Sequence, residues 1–107
     1  MIPITTLYLL LISTYGLNPQ DAAIMTCIAN EESKLVVTAT HINNNGTQDT
    51  GLFQINDVNL KLCNMTKKDL MDPKNNIKCA MKVLEEQDFE AWATLRKCVK
   101  WKRNFVY

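Results

Sequence analysis

The sequence predicts a small α+β domain, mainly helical, with one small antiparallel β-hairpin and a cleft between the two parts. Two dipeptides, Asn18-Pro19 and Asp72-Pro73, combine an N-capping side chain with a proline suited to the first helical turn. Between them, residues 43–46 read Asn-Asn-Asn-Gly, a turn sequence typical of antiparallel hairpins. Helices on either side of a short hairpin indicate the α+β class.

The composition is that of a globular chain and excludes several classes of protein. With 107 residues, of which 47% are hydrophobic and 21% charged, we expect one folded domain over residues 1–107. Twelve Lys and Arg residues against eleven Asp and Glu give a net charge of +1, so no nucleic-acid partner is expected. No apolar run approaches the roughly 20 residues of a membrane-spanning helix.

The first segment of the chain, Met1–Gln20, contains no charged side chain, and Ile2–Ser13 is as apolar as the core of a signal peptide. A signal peptide begins with basic residues, however, and the first lysine here is Lys34. We therefore favour a buried helix over about Ile4–Thr14, ended by Gly16. On this interpretation the chain is the mature form of an exported protein.

A second helix begins after Asn18, with Pro19 at its first position, and runs to about Ser33. Its apolar residues Ile24 and Ile28 recur at helical spacing. The composition then changes to Thr, Asn and Gly, which favours strands.

The arms of the predicted hairpin are Val37–His41 and Gln48–Phe53. After it, Thr66 caps a short turn that ends at Met71. A longer helix follows Asp72-Pro73, and a last helix covers about Phe89–Cys98. The longer helix has one apolar face, formed by Ile77, Ala80, Met81 and Leu84.

The four cysteines, Cys27, Cys63, Cys79 and Cys98, are widely spaced and form no CxxC motif, so neither a zinc site nor a redox-active dithiol is predicted. Four cysteines allow three disulfide pairings, and four buried thiols in a cytosolic protein are the alternative. Two disulfides in an exported protein are favoured.

Glu32 stands at the predicted C-terminal end of the second helix, where the helix dipole disfavours negative charge. It also continues the apolar row of Ile24 and Ile28. Both effects raise the pKa of a carboxyl group, as a general acid at working pH requires. A solvated helix end is the alternative interpretation.

Asp49 follows the hairpin turn, and its neighbours Thr47 and Gln48 are polar, so we expect it to remain ionised. A neutral and an ionised carboxyl group across a cleft between helix and hairpin is the arrangement that glycosidic cleavage uses. The alternative is an aspartate that only stabilises the turn.

The segments that carry these two carboxylates resemble the active-site signature of the animal-type (c-type) lysozymes. The first is Cys-Ile-Ala-Asn-Glu-Glu-Ser at residues 27–33, and the second is Asn-Gly-Thr-Gln-Asp-Thr-Gly-Leu-Phe-Gln-Ile-Asn at residues 45–56. The resemblance covers most of residues 15–98. It implies that Glu32 is the proton donor and Asp49 the nucleophile or stabiliser of the glycosyl cation, in the scheme that lysozymes exemplify.

The resemblance also implies roles for residues outside the catalytic pair. Gln54 and Asn56 match positions that line the sugar-binding cleft, and Trp92 matches a tryptophan that packs near the catalytic glutamate. Cys27–Cys98 and Cys63–Cys79 match two of the family's disulfides.

The substrate implied by the resemblance is peptidoglycan or a chitooligosaccharide, cleaved by a secreted monomer. No metal or organic cofactor is implied.

Two departures from the lysozyme pattern leave other functions open. The segment between Asn56 and Cys63 is shorter than usual and lacks the tryptophans that contact sugar rings. Residues 51–56 and 72–77 also resemble lytic transglycosylases, which cut the same bond with the glutamate alone. A third possibility is a binding protein without activity, like the lactalbumins, although those relatives typically lose the glutamate that this chain keeps.

Overall fold

A computed structural model describes residues 1–99, in which two packed helices form one side of the core. Helix α1 covers Ile4–Ser13, which confirms the predicted first helix, and α2 covers Pro19–Ser33 as predicted. The Asn18 side chain accepts a hydrogen bond of 2.8 Å from the backbone N–H of Asp21, so the expected N-cap is present. None of the helices in the described part of the chain is long and apolar enough to span a membrane.

Helix α2 is the central helix, because every residue from 22 to 29 is buried. It ends where Lys34 and Leu35 adopt the left-handed conformation, with φ of 56° and 65°. After these two residues the chain continues toward the sheet. Glu32 lies in the last turn of α2 and lines a cleft together with residues of the sheet.

A three-stranded antiparallel sheet forms the second part of the fold, in the order β1 (Thr40–Ile42), β2 (Gln48–Thr50) and β3 (Ile55–Asn56). The register pairs Asp49 with His41 on one side and with Asn56 on the other.

The predicted hairpin arms were too long. Strand β2 ends at Thr50 because Gly51 adopts a φ of 79° and turns the chain, so Phe53 lies in a turn and not in a strand. The third strand was not predicted, since two residues carry no recognisable strand pattern. The first arm, predicted as Val37–His41, begins only at Thr40.

The remaining elements return the chain to helix. A 3₁₀ turn at Asp57–Asn59 leads into the short helix α3, Leu60–Cys63, neither of which was predicted. Another 3₁₀ turn, Asp69–Met71, precedes α4, Pro73–Gln87, whose N-cap is the predicted Asp72.

The last predicted helix, Phe89–Cys98, was wrong as one continuous element. The structure has a 3₁₀ turn at Phe89–Ala91 and helical residues at 95–99. Trp92 separates them with an extended backbone, φ −110° and ψ 120°, and its indole lies in the core.

Two disulfides connect the helical elements, Cys27–Cys98 and Cys63–Cys79, with Cα–Cα distances of 5.6 and 5.2 Å. They are the pairs that the lysozyme resemblance implies. The first joins α2 to the C-terminal segment, and the second joins α3 to α4. The largest fully buried side chains around them include Phe53, Leu52, Leu7, Met25, Ile28 and Ile77.

The two disulfides should contribute unequally to stability. Their sequence separations are 71 and 16 residues, and the chain-entropy cost of the unfolded state grows with the length of the closed loop. We expect the double variant Cys27→Ser/Cys98→Ser to lower the free energy of unfolding by about 4 kcal/mol, and Cys63→Ser/Cys79→Ser by about 3 kcal/mol. Urea denaturation of the three proteins measures this. A larger loss for the shorter loop would contradict the entropic explanation.

Candidate active site

Glu32 is partly buried in the last turn of α2 and is held by a residue far along the chain. The Thr94 hydroxyl donates a hydrogen bond of 2.9 Å to Glu32 Oε2. Burial raises the pKa of Glu32 above its ordinary value, and the charge of Asp49 raises it further. The Thr94 hydrogen bond and the charge of Lys97 act in the opposite direction. Because burial has the largest effect, the pKa of Glu32 lies above its ordinary value.

Asp49 lies in the middle of β2, opposite Asn56 of β3. Asn56 Nδ2 donates a hydrogen bond of 2.8 Å to Asp49 Oδ1 and another of 3.0 Å to Thr47 Oγ1. The Thr47 hydroxyl in turn donates to Asn45 Oδ1 at 2.7 Å. In the part of the chain that the structure describes, no donor binds Asp49 Oδ2, so that oxygen is available to a substrate.

A cleft of about 570 Å³ separates the helical part from the sheet and contains both carboxylates. All five candidate catalytic and substrate-binding residues line it: Glu32, Asp49, Gln54, Asn56 and Trp92. The other lining residues were not predicted as site residues, and they are mostly amides and small side chains: Asn43, Asn44, Asn45, Thr47, Ile55, Asn59, Val83, Ala91 and Ala93.

Gln54 lines the cleft, and its side chain also stabilises the turn after β2. Its Nε2 donates hydrogen bonds of 3.0 Å to the backbone carbonyls of Ala39 and Gly51. Both of these acceptors belong to the sheet part. The amide therefore stabilises the end of β2, and its carbonyl oxygen is the group left for a ligand.

Trp92 forms a wall of the cleft. Its side chain packs in the core with the whole residue only 5% exposed, and its Nε1–H donates a hydrogen bond of 2.9 Å to the carbonyl of Phe53. The two rings pack with their centroids 6.1 Å apart. The indole thus adds an apolar side chain to the cleft that Glu32 also lines, and it offers little surface for a sugar ring to stack on.

Thr94 was missed by sequence analysis. It lies 62 residues from Glu32 along the chain, and a single threonine near the C-terminal segment carries no local signal. No three His, Cys, Asp or Glu residues within residues 1–99 are grouped so that they could hold a metal ion.

Replacing Thr94 should shift the pH dependence of activity in one direction. Thr94→Val keeps the shape but removes the hydrogen bond that lowers the pKa of Glu32, so that pKa should rise. Glu32 then stays protonated to higher pH, and the upper limb of the profile of kcat/KM should move to higher pH. Thr5→Val, an exposed position of α1, is the matched control. A shift to lower pH would contradict the assignment of Thr94.

Comparisons with known proteins agree with this geometry. A family model described as a lysozyme-like domain matches residues 11–94. Lysozyme D of Drosophila melanogaster is 31% identical over 102 residues, covering 83% of this chain and 73% of the relative. Lysozyme of Bombyx mori is 37% identical over 76 residues, covering 62% of this chain and 56% of the relative.

The fold is also similar to that of a solved structure. The crystal structure of a lysozyme from Litopenaeus vannamei superposes with a TM-score of 0.81 at 23% identity, over 99% of this chain and 95% of that one. A helical part and a small sheet that face each other across a cleft with two carboxylates define a lysozyme-type glycosidase. The chain belongs to the family of c-type lysozyme-like proteins.

Proposed function

We propose that this chain hydrolyses the β-1,4 bond between N-acetylmuramic acid and N-acetylglucosamine in peptidoglycan, with Glu32 as the acid and Asp49 as the nucleophile or charge stabiliser. The observation that carries the proposal is the shared cleft, where burial raises the pKa of Glu32 while Asn56 holds Asp49 by one oxygen. The lysozyme relatives support the same bond as the target.

In the first step, protonated Glu32 donates its proton to the oxygen of the scissile glycosidic bond, and that bond breaks as positive charge develops on the sugar. Asp49 either stabilises this charge or bonds to the anomeric carbon through Oδ2. The Asn56 hydrogen bond holds the carboxylate at Oδ1, and none of the residues that the structure describes donates a hydrogen bond to Oδ2.

In the second step, ionised Glu32 accepts a proton from a water molecule, whose oxygen bonds to the anomeric carbon. Where Asp49 has bonded to that carbon, the bond to Oδ2 breaks and its electron pair returns to the carboxylate. This restores the acid and leaves Asp49 ionised. The burial that raises the pKa of Glu32 favours this return to the neutral form.

The cleft wall supports a substrate rich in acetamido and hydroxyl groups. Four asparagines line the cleft, and their side-chain amides both donate and accept hydrogen bonds. They are Asn43, Asn44, Asn45 and Asn59. We propose on this basis that chitooligosaccharides are also accepted. The two disulfides and the lysozyme relatives support a further proposal, that the chain acts outside the cell as a single-domain monomer.

Mass spectrometry of purified peptidoglycan after incubation with the protein tests the reaction. Hydrolysis yields muropeptides with free reducing ends. Products lighter by one water, with anhydro ends, would instead identify a lytic transglycosylase, the alternative that residues 51–56 and 72–77 favour. An intact glycan would reject both, and incubation with Glu32→Gln measures the background.

A further inference from the structure

A buried amide from α4 binds both ends of the turn between β2 and β3, residues 50–53. We call this turn the corner. Asn76 Nδ2 donates hydrogen bonds of 2.9 Å to the carbonyls of Thr50 and Leu70, and its Oδ1 accepts one of 2.8 Å from the N–H of Phe53. Asn76 thus binds the first and last residues of the corner at once.

The contact between Asn76 and the corner is too close to admit any other residue at position 51. Asn76 is completely buried, and Gly51 lies directly against its side chain. A Cβ on Gly51 would overlap Asn76 Nδ2, at a φ of 79° that side chains rarely adopt. A buried amide whose two N–H groups and oxygen all have hydrogen-bond partners, two of them in the corner, is costly to replace.

The corner also connects the two carboxylates of the cleft. On the side of α2, the Ser33 hydroxyl donates a hydrogen bond of 2.7 Å to the carbonyl of Leu52, and Ser33 directly follows Glu32. On the side of β2, Thr50 directly follows Asp49. The corner is therefore connected to the residue that follows each of the two carboxylates.

We propose that Asn76 is a positioning residue of the candidate active site, which sets the separation between Glu32 and Asp49 by fixing the corner. The proposal rests on the catalytic roles proposed above for these two residues. Without the Asn76 side chain, Ser33 and Trp92 still bind the carbonyls of Leu52 and Phe53. The carbonyl of Thr50 loses its partner, which releases the end of β2 that carries Asp49.

The pH profile of activity reports this separation, because a merely structural residue would not move it. Burial of Glu32 and the charge of Asp49 both raise the pKa of Glu32. If the corner moves away from α2, both effects weaken and that pKa falls. In Asn76→Ser we expect the upper limb of the kcat/KM profile to move to lower pH, opposite to the shift expected for Thr94→Val. We also expect kcat to fall about ten- to a hundredfold with little change in KM, because the reacting groups are displaced.

Leu11→Ala is the control for lost stability, since Leu11 is fully buried in α1 and lies outside the cleft lining. It should leave the upper limb unchanged. An unchanged limb in Asn76→Ser, or the same shift in Leu11→Ala, would overturn the proposal.

A second variant covers the case in which Asn76→Ser does not fold. Ser33→Ala removes the hydrogen bond between α2 and the corner without creating a large cavity. It should also move the upper limb to lower pH, and no shift would overturn the proposal. Failure of the proposed function is distinguishable, because the parent chain would then leave peptidoglycan intact, or Glu32→Gln would be as active as the parent chain.

Discussion

Glu32→Gln should lower kcat on peptidoglycan by at least about a thousandfold while the protein stays folded, because the amide cannot supply the proton that the leaving oxygen requires. The side chain keeps its size, and the amide can still accept the Thr94 hydrogen bond. Turnover of purified peptidoglycan, measured by release of soluble muropeptides, gives the loss.

Glu31→Gln is the matched control for this variant. Glu31 is the preceding residue of α2, pairs with Lys34 at 3.9 Å and lies outside the cleft lining. It should retain activity close to that of the parent chain. If Glu32→Gln were as active as Glu31→Gln, Glu32 would have no part in the mechanism.

Asp49→Asn should lower kcat by about a hundredfold or more if the chain is a hydrolase, because a neutral amide neither stabilises the glycosyl cation nor bonds to it. A lytic transglycosylase would keep its activity, since the sugar's own hydroxyl closes the ring and only the glutamate is needed. The measurement is the rate of product formation together with the mass of the products.

Asp21→Asn, in the first turn of α2, controls for the loss of one negative charge elsewhere in the protein. Full activity in Asp49→Asn with reducing-end products would contradict the assigned role of Asp49. Loss of activity in Asp49→Asn would indicate a hydrolase, whereas a lytic transglycosylase would keep its activity.

Local signals in the sequence predicted the helices well. The N-caps at Asn18 and Asp72 depend on hydrogen bonds to residues two or three positions further on, so a short stretch of sequence is enough to recognise them. Helices α2 and α4 accordingly begin where they were expected.

The sheet and the C-terminal segment were less predictable, because contacts distant in sequence determine them. Trp92 breaks the expected last helix since its indole N–H bonds to Phe53, 39 residues away. The end of β2 depends on Gly51 lying against Asn76 of α4. Neither partner can be identified from the residues beside it.

The candidate site was predicted through its two chemically distinctive carboxylates and through the lysozyme signature around them. The structure brings Glu32 and Asp49 to one cleft, as expected, while their roles remain to be tested by the variants above. Thr94 and Asn76 were not identified, because their importance comes only from what they bind in the folded protein.

The disulfide Cys27–Cys98 has a consequence for where this protein can work. Cys27 precedes Glu32 by about one and a half turns of α2, and Cys98 follows the segment that contains Trp92 and Thr94. One covalent bond therefore holds α2, which carries Glu32, to that segment. Reduction would free that segment and let water reach Glu32, which would then ionise too readily to act as an acid. We expect reduction of this disulfide to lower the pKa of Glu32 and the activity proposed above, so that the reaction would proceed under oxidising conditions and weaken under reducing ones.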